Sequence, residues 1–522
     1  MSIEKSKIRT AIKKSQAFLL DGIENHLLTN RQKQQKFLIN PSPLATALAI
    51  LVSKKNSKSL ENAISWLRKI QNEDGGWGIA DNVPSDINST SLCLLAIEET
   101  EKQIEEKARM FIEENGGFSK TEWFVQVILS SLGKYPPDEI RTPSAGPIEL
   151  PPSEMRFTPL FYSKLYPYAK DLFFSLTALE MLTKYKNADK ILRFLEIVQG
   201  LDGSWKQDII ITSIATLAVQ RSKINPRINP YQWLSEVQYP DGSWPAFNQM
   251  ICWDIGLASS ILANKFLQDE RLQRAREYLE NGMYMDGSFG MTLPYSVPDI
   301  DDTAVALIGL KNLHSEKTLQ TVLYLKSMQN MDGSWSTFPE YYGSPPYCVS
   351  GKVVHLPSTD VTCHVLKALC NEPITNKEPF VESALNWLVS AQNKEGSWET
   401  TWFNSNIYAT SEAIITLHKF GIKGENISRG LEWLSDRQRS NGSFGNGTVE
   451  ETSLALTALM ICSFDKVDVD SAIQFLLNEQ NSDGSFSPSY SGVYFLLFYY
   501  NDPIYSACLG LNALELYYKM KG

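Results

Sequence analysis

The residues best suited to chemistry lie in Val297-Pro298-Asp299-Ile300-Asp301-Asp302-Thr303-Ala304, where three carboxylates fall within four residues at the head of an apolar run, Val305 to Leu310. Pro298 suits the first turn of a helix, and acidic side chains there are stabilised by the exposed N–H groups and the helix dipole. Capping of this kind accounts for one or two aspartates. A third crowds like charges together, so at least one carboxyl is expected to have a raised pKa and to hold its proton near neutral pH. An uncharged carboxylic acid aimed into an apolar cavity can protonate something as weakly basic as an alkene. A solvated, merely capping N-terminus is the other reading of the same residues.

The elements that must hold this stretch are announced by a recurring turn, Gln-x-x-Asp-Gly-Ser-Trp, placed just after an amphipathic segment. It opens with Gln71 to Trp77 and returns as Gln199 to Trp205, Gln238 to Trp244, Gln329 to Trp335 and Gln392 to Trp398. Weaker copies end in Phe at Phe289, Phe444 and Phe486, and Asn115 to Phe118 resembles another. From Gly203 onward the motif glycines stand at 203, 242, 287, 333, 396, 442 and 484, at intervals of 39, 45, 46, 63, 46 and 42 residues. That is the period of a repeat of two helices. Between copies, apolar residues recur at helical spacing, as in Ser453 to Leu459 and Ala413 to Leu417, and strand-type alternation is scarce. The Asp-Gly pair supplies a positive-φ turn, the Gln reaches the neighbouring helix end, and the aromatic acts as a staple. These repeats are therefore read as scaffold, without chemistry of their own. Two stretches break them: residues 134–169, rich in Pro and aromatics, and residues 336–359. Long aromatic loops in a helical protein more often line a site than link domains.

Composition bounds the function. A chain of 522 residues is too long for one ordinary core, and 43% hydrophobic residues with 12 Trp leave ample material for two. The net charge of −10 and the lack of a basic cluster argue against nucleic acid as a partner. No apolar run approaches the roughly 20 residues of a membrane span. The polar start, Met1 to Lys14, lacks a signal-peptide core, so the cytoplasm is the expected location. Seven cysteines without a Cys-x-x-Cys read as reduced core thiols.

With these pieces in place, the sequence resembles the class II terpene cyclases, which include the squalene-hopene cyclases and the diterpene cyclases that make copalyl-type diphosphates. Asp299 to Ala304 looks like the family's Asp-x-Asp-Asp-Thr-Ala motif, and the turns look like its QW repeats. Further segments fall in the family's order: Pro84 to Thr90, Leu132 to Pro136, Trp253 to Ala258, Pro357 to Leu366 and Glu450 to Ser453. The resemblance implies an all-α protein of two α/α barrels: residues 1–40 plus 266–522 forming a β-type barrel with the acid motif, and residues 41–265 an inserted γ-type barrel. The active site is expected in the cleft between them.

The resemblance also assigns roles. Asp301 would be the general acid, with Asp299 and Asp302 orienting it and His364 bonded to it; a core histidine is the alternative for His364. Trp253, Phe289, Tyr295, Trp402 and Tyr408 are candidates for aromatic faces that stabilise carbocations; each can equally be core. The expected reaction is cyclisation of a linear prenyl diphosphate, geranylgeranyl diphosphate first, to a bicyclic diphosphate that keeps its phosphates. A downstream class I synthase or phosphatase would consume it. Asp138, Glu139, Arg141, Glu149 and Lys170 are candidates for holding the diphosphate and a Mg²⁺ ion. Farnesyl diphosphate and squalene are alternative substrates. Two other classes stay open: a zinc prenyltransferase-like barrel, with Asp360, Cys363 and His364 as ligands, and a non-catalytic helical repeat protein.

Overall fold

The computed structural model describes residues 3–28, 33–53, 57–98, 102–141, 167–222, 224–247, 250–292, 297–310, 316–339, 356–370, 372, 377–494 and 498–521. Among these, helices make up nearly all regular structure, and strands occur only as two short antiparallel pairs. The helices alternate between two kinds. One kind is apolar on all faces, as in Pro43–Val52 (α2), where almost every residue is buried. The other carries a single apolar stripe, as in Lys58–Lys69 (α3), which buries Ala63, Trp66 and Leu67. A helix apolar all round must be enclosed by others, so the first kind lines the inside of a ring and the second its outside.

Two such rings form. In the first, the inner helices α2, Ile87–Ile97 (α4), Trp123–Ser131 (α6), Pro167–Tyr185 (α7) and Ile209–Arg221 (α9) pack in that order, and α9 returns to α2. Its outer helices are α3, Lys102–Glu114 (α5), Asp189–Val198 (α8) and Pro230–Glu236 (α10). In the second, Ile251–Phe266 (α11), Ile300–Gly309 (α13), Thr359–Leu369 (α15), Ile407–Lys419 (α17), Val449–Ile461 (α19) and Pro503–Met520 (α21) form the inner ring, closed by α21 on α11. Outside it stand Glu270–Gly282 (α12), Glu316–Ser327 (α14), Pro379–Ser390 (α16), Glu425–Ser435 (α18) and Val469–Glu479 (α20). The N-terminal helix Lys5–Leu27 (α1) completes that outer layer against α21 and α12.

The first ring is inserted between α1 and the rest of the second, since Pro41 and Pro245 bridge one another where the chain leaves and returns. Helix α11 packs with α13 and α21 and shares their core. The boundary expected at residues 265/266 had given this helix to the inserted barrel. Its apolar pattern marks it as enclosed but carries no information about which ring encloses it.

The turn motif does the same work wherever it carries both Gln and Trp. The Gln side chain donates to the motif glycine's carbonyl and to a carbonyl of a neighbouring outer helix or the turn leading to it, as Gln199 does to Gly203 and Ile228 and Gln238 to Gly242 and Ser59. The Trp Nε1–H donates to the preceding outer helix: Trp77 to Leu67, Trp205 to Leu195, Trp335 to Leu325. The aromatic residue's N–H donates to a threonine hydroxyl in the first turns of the next inner helix: Trp77 to Thr90, Trp335 to Thr362, Trp398 to Thr410. The last copy in each barrel meets the first outer helix. Gln480 donates to Ala11 of α1, and Gln238 to Ser59 of α3, so the final repeat seals each ring.

Candidate functional site

In this repeat all inner helices of a ring point the same way, and the N-terminal ends of the two rings meet. Asn40 N–H donates to Asn501 O and Asn501 N–H to Asn40 Oδ1, just before the starts of α2 and α21. Tyr490 O–H donates to Asp81 O ahead of α4, and the Phe247 and Tyr500 rings lie edge-on at 5.2 Å. The acid segment lies at this junction. Asp299 closes the strand Pro298–Asp299 (β2), paired with Phe289–Gly290 (β1), and caps α13 by accepting Asp302 N–H at 2.7 Å. Thr303 is the motif threonine of this copy and accepts Phe289 N–H at 2.9 Å. The repeat therefore sets the backbone that presents Asp301.

Asp301 Oδ1 lies 2.6 Å from Nδ1 of His364 on α15, and His364 Nε2 lies 2.6 Å from the Tyr408 hydroxyl on α17. Side chains from three consecutive inner helices thus make one chain of hydrogen bonds. Around it stand aromatic rings. Trp253 is 5.2 Å from the imidazole, Phe403 stacks on Tyr408 at 3.5 Å, and Tyr505 is 6.3 Å from Trp253. Behind this layer, toward the C-terminal ends of the inner helices, is a cavity of about 440 Å³ whose wall includes His364, Tyr408, Leu454 and the Lys367–Glu412 ion pair.

Electrostatics follow from burial. The Asp299 carboxyl is pushed well above the ordinary carboxylate range by desolvation, then by the charge of Asp302. Asp302 is pushed up to about 7 by burial, against the pull of a hydrogen bond from Asp299. The crowding read from the sequence thus falls on these two. Burial alone would lower His364, but the charge and hydrogen bond of Asp301 raise it above its ordinary value. Burial pushes Asp360 up to about 6. Its Oδ2 accepts Thr401 N–H at 2.6 Å, Trp402 N–H at 3.1 Å and the Thr400 hydroxyl at 3.0 Å, fixing the loop that carries Trp402 and Phe403. Asp360 is thereby engaged with that loop, and burial holds the Cys363 thiol protonated. This pattern does not suit a zinc ligand set.

The structure brings Asp299, Asp301, Asp302, His364, Trp253 and Tyr408 together, with Trp402 packed against them and bonded through Nε1 to Thr337. Phe289 departs from the expectation of a pocket ring. It fills the aromatic position of its turn motif and is wholly buried in the barrel core. Tyr295 and Glu149 lie outside the described residues. Asp138, Glu139 and Arg141 are exposed on the segment after α6. Lys170, half-buried in the first turn of α7, adjoins Asp171, whose Oδ2 is 3.9 Å from Lys206 Nζ. Among the described residues no group of three or more metal-ligating side chains assembles. Phe403 and Tyr505 were not singled out from the sequence. The only local signal for Tyr505 is its place in the first turn after the cap at Asp502, a position shared by many buried residues.

A squalene-hopene cyclase C-terminal domain model matches residues 252–519, and an N-terminal domain model matches residues 43–150. The chain belongs to the squalene-hopene cyclase family. It is a class II terpene cyclase by this membership and by its all-α, two-barrel fold. A squalene-hopene cyclase of Alicyclobacillus acidocaldarius is 22% identical over 86% of this chain and 88% of its own length. A copalyl diphosphate synthase of Streptomyces anulatus is 28% identical over 42% of this chain and 39% of its own. In fold, the chain resembles an ent-copalyl diphosphate synthase from Streptomyces platensis, with a TM-score of 0.62, 19% identity, and coverage of 97% of this chain and 99% of that one.

Proposed function

We propose that this cyclase converts a linear prenyl diphosphate, geranylgeranyl diphosphate first among candidates, into a bicyclic diphosphate that keeps its phosphates. The observation that carries the chemistry is the bond from His364 to Asp301 Oδ1, which leaves the acid's proton to the other oxygen. The imidazole N–H donating to Oδ1 withdraws electron density and steadies the carboxylate formed on transfer. The proton adds to one carbon of the terminal alkene, whose π electrons form the new C–H bond and leave a tertiary cation. Successive alkenes attack to close C–C bonds, and loss of one proton from the last cation restores an alkene. The sum is an isomerisation. Rings of Trp253, Phe403, Tyr408 and Tyr505 offer π faces to the cations without a nucleophile that would trap them.

Retention of the diphosphate follows from where protonation occurs, since the allylic C–O bond is remote from the attacked alkene. The sequence has no Asp-Asp-x-x-Asp motif of the kind that ionises that bond in class I synthases. An anionic end is favoured by Lys170 and Lys206, at the end of the inserted barrel that faces the acid; burial, and then the charge of Lys206, lower the Lys170 pKa. The copalyl diphosphate synthase relative points the same way. Magnesium, as counter-ion of the diphosphate, would arrive with the substrate. The squalene reading is favoured by the length of the match to the Alicyclobacillus enzyme. Product analysis before and after phosphatase decides between them. A cyclic alcohol should become extractable only after phosphatase; a cyclic hydrocarbon or alcohol without it, or preferred turnover of squalene, overturns the diphosphate reading.

A further inference from the structure

Beside the acid segment lies a second pair of buried carboxylates that the chemistry above does not use. Asp254 is in the first turn of α11, and Asp502 caps α21, accepting Ile504 N–H at 2.9 Å and Tyr505 N–H at 3.1 Å through Oδ1. These two helices are neighbours in the ring, and α11 also packs on α13, which carries Asp301 and Asp302. The two carboxyl groups are wholly buried and within hydrogen-bond reach of one another. Asp254 Oδ1 and Asp502 Oδ2 are buried and have no hydrogen-bond donor as partner. Two carboxylates cannot bond each other; a carboxylic acid and a carboxylate can. We propose that Asp254 and Asp502 share one proton and form a positioning pair whose remaining negative charge keeps the neighbouring acid cluster protonated.

The surroundings agree with a single shared charge. His26, at the end of α1, places Nε2 2.8 Å from Asp254 Oδ2, both side chains being 1% exposed, although the contact lies off the line of a hydrogen bond. Burial pushes His26 down to about 3, so it stays neutral and supplies no counter-charge. Lys33, from the segment leading to α2, is the cation facing Asp254; burial lowers it to about 8, so its charge fades as the pH rises. At the head of α13 the facing groups are the cap Asp299 and, in its first turn, Asp301 and Asp302. Cys252, Cys508 and Tyr500 complete the set, and burial holds all three protonated. Burial pushes Asp254 up to about 7, with the charge of Asp302 adding to it, and Asp502 rises well beyond its usual range for the same cause and for the charge of Asp254. The coupling is mutual, since a negative charge on Asp254 disfavours ionisation of Asp302.

The arrangement predicts a particular pattern of substitutions. An asparagine in place of either partner supplies the N–H that the shared proton supplied and leaves one negative charge. Asp502→Asn and Asp254→Asn should therefore keep the high-pH limb of the rate profile within about 0.3 units. The double variant removes the charge and should move that limb down by roughly half a unit or more. An independent measurement needs no turnover: proton release on unfolding in denaturant at pH 8, where unfolded aspartates hold no proton. Asp502→Asn should release about one proton fewer than the unaltered protein. An unchanged limb in the double variant, single variants shifted as far as the double, or equal proton release would each overturn the proposal. The inference rests on Asp301 as the acid for its kinetic arm only. Full activity of Asp301→Asn would remove that reading and leave the proton count as the test of the pair.

Discussion

At the level of single residues, the acid assignment turns on one hydrogen. Asp301→Asn keeps the shape of the carboxyl and the bond to His364 but has no proton that carbon can take. Turnover should fall at least a hundredfold, the range for losing a general acid, with the circular dichroism spectrum and substrate binding unchanged. A smaller loss would assign the acid elsewhere. Tyr408→Phe removes the partner of His364 Nε2 and leaves a buried ring nitrogen unsatisfied, at a cost of about 1–3 kcal/mol. The rate should drop while the stacked ring on Phe403 stays in place, and comparing kcat with KM separates the two effects. Asp299 and Asp301 sit two residues apart in the sequence but have different work. Asp299 caps the helix by accepting Asp302 N–H, whereas Asp301 turns to His364 on α15.

At the level of elements, the motif glycines carry a backbone demand together with a packing demand. Gly242 has φ +96°, and a Cβ there would stand 2.4 Å from the Asn62 carbonyl carbon in α3. Gly421, in the left-handed cap after α17, has φ +74° with nothing within 4 Å of its missing Cβ. Gly421→Ala should therefore cost only the left-handed backbone penalty of about 1–2 kcal/mol. Gly242→Ala adds displacement of α3 and should cost about 2–4 kcal/mol, read as a larger fall in the denaturation midpoint. Equal losses would mean that the turn does not clamp the outer helix. The sequence already held this repeat, with its Gln, Gly and aromatic positions and their intervals. It did not hold the partner of each Gln, because that partner sits on a neighbouring helix up to several hundred residues away in the chain, as with Gln480 and Ala11.

At the level of the whole molecule, many buried acids meet at the junction and make stability depend on pH. Asp254 and Asp302 are pushed up to about 7, and Asp171 and Asp360 to about 6, all chiefly by burial. Unfolded aspartates ionise near 4, so above that pH the folded chain binds protons that the unfolded chain lacks. Stability is then lost as the pH rises through 6 and 7. His26, held down at about 3, works the other way below 6.5 but is one group against several. The chemical denaturation midpoint should be higher at pH 5.5 than at pH 8; the reverse order would show that these carboxyls are ionised in the folded state.

The sequence by itself determined the helical class, the two-helix repeat and the three aspartates at the head of an apolar helix, because all of these are local patterns of period, turn chemistry and capping. It also held His364 as a candidate through resemblance. Only the tertiary structure decided that Phe289 is a staple, that α11 belongs to the second ring, and that Asp254 meets Asp502. The physical reason is common to all three: a buried residue's type records that it is enclosed, while its partners depend on how rings of helices close. Asp254 and Asp502 are 248 positions apart by subtraction of their numbers, and only the closure of α21 on α11 brings their carboxyls together.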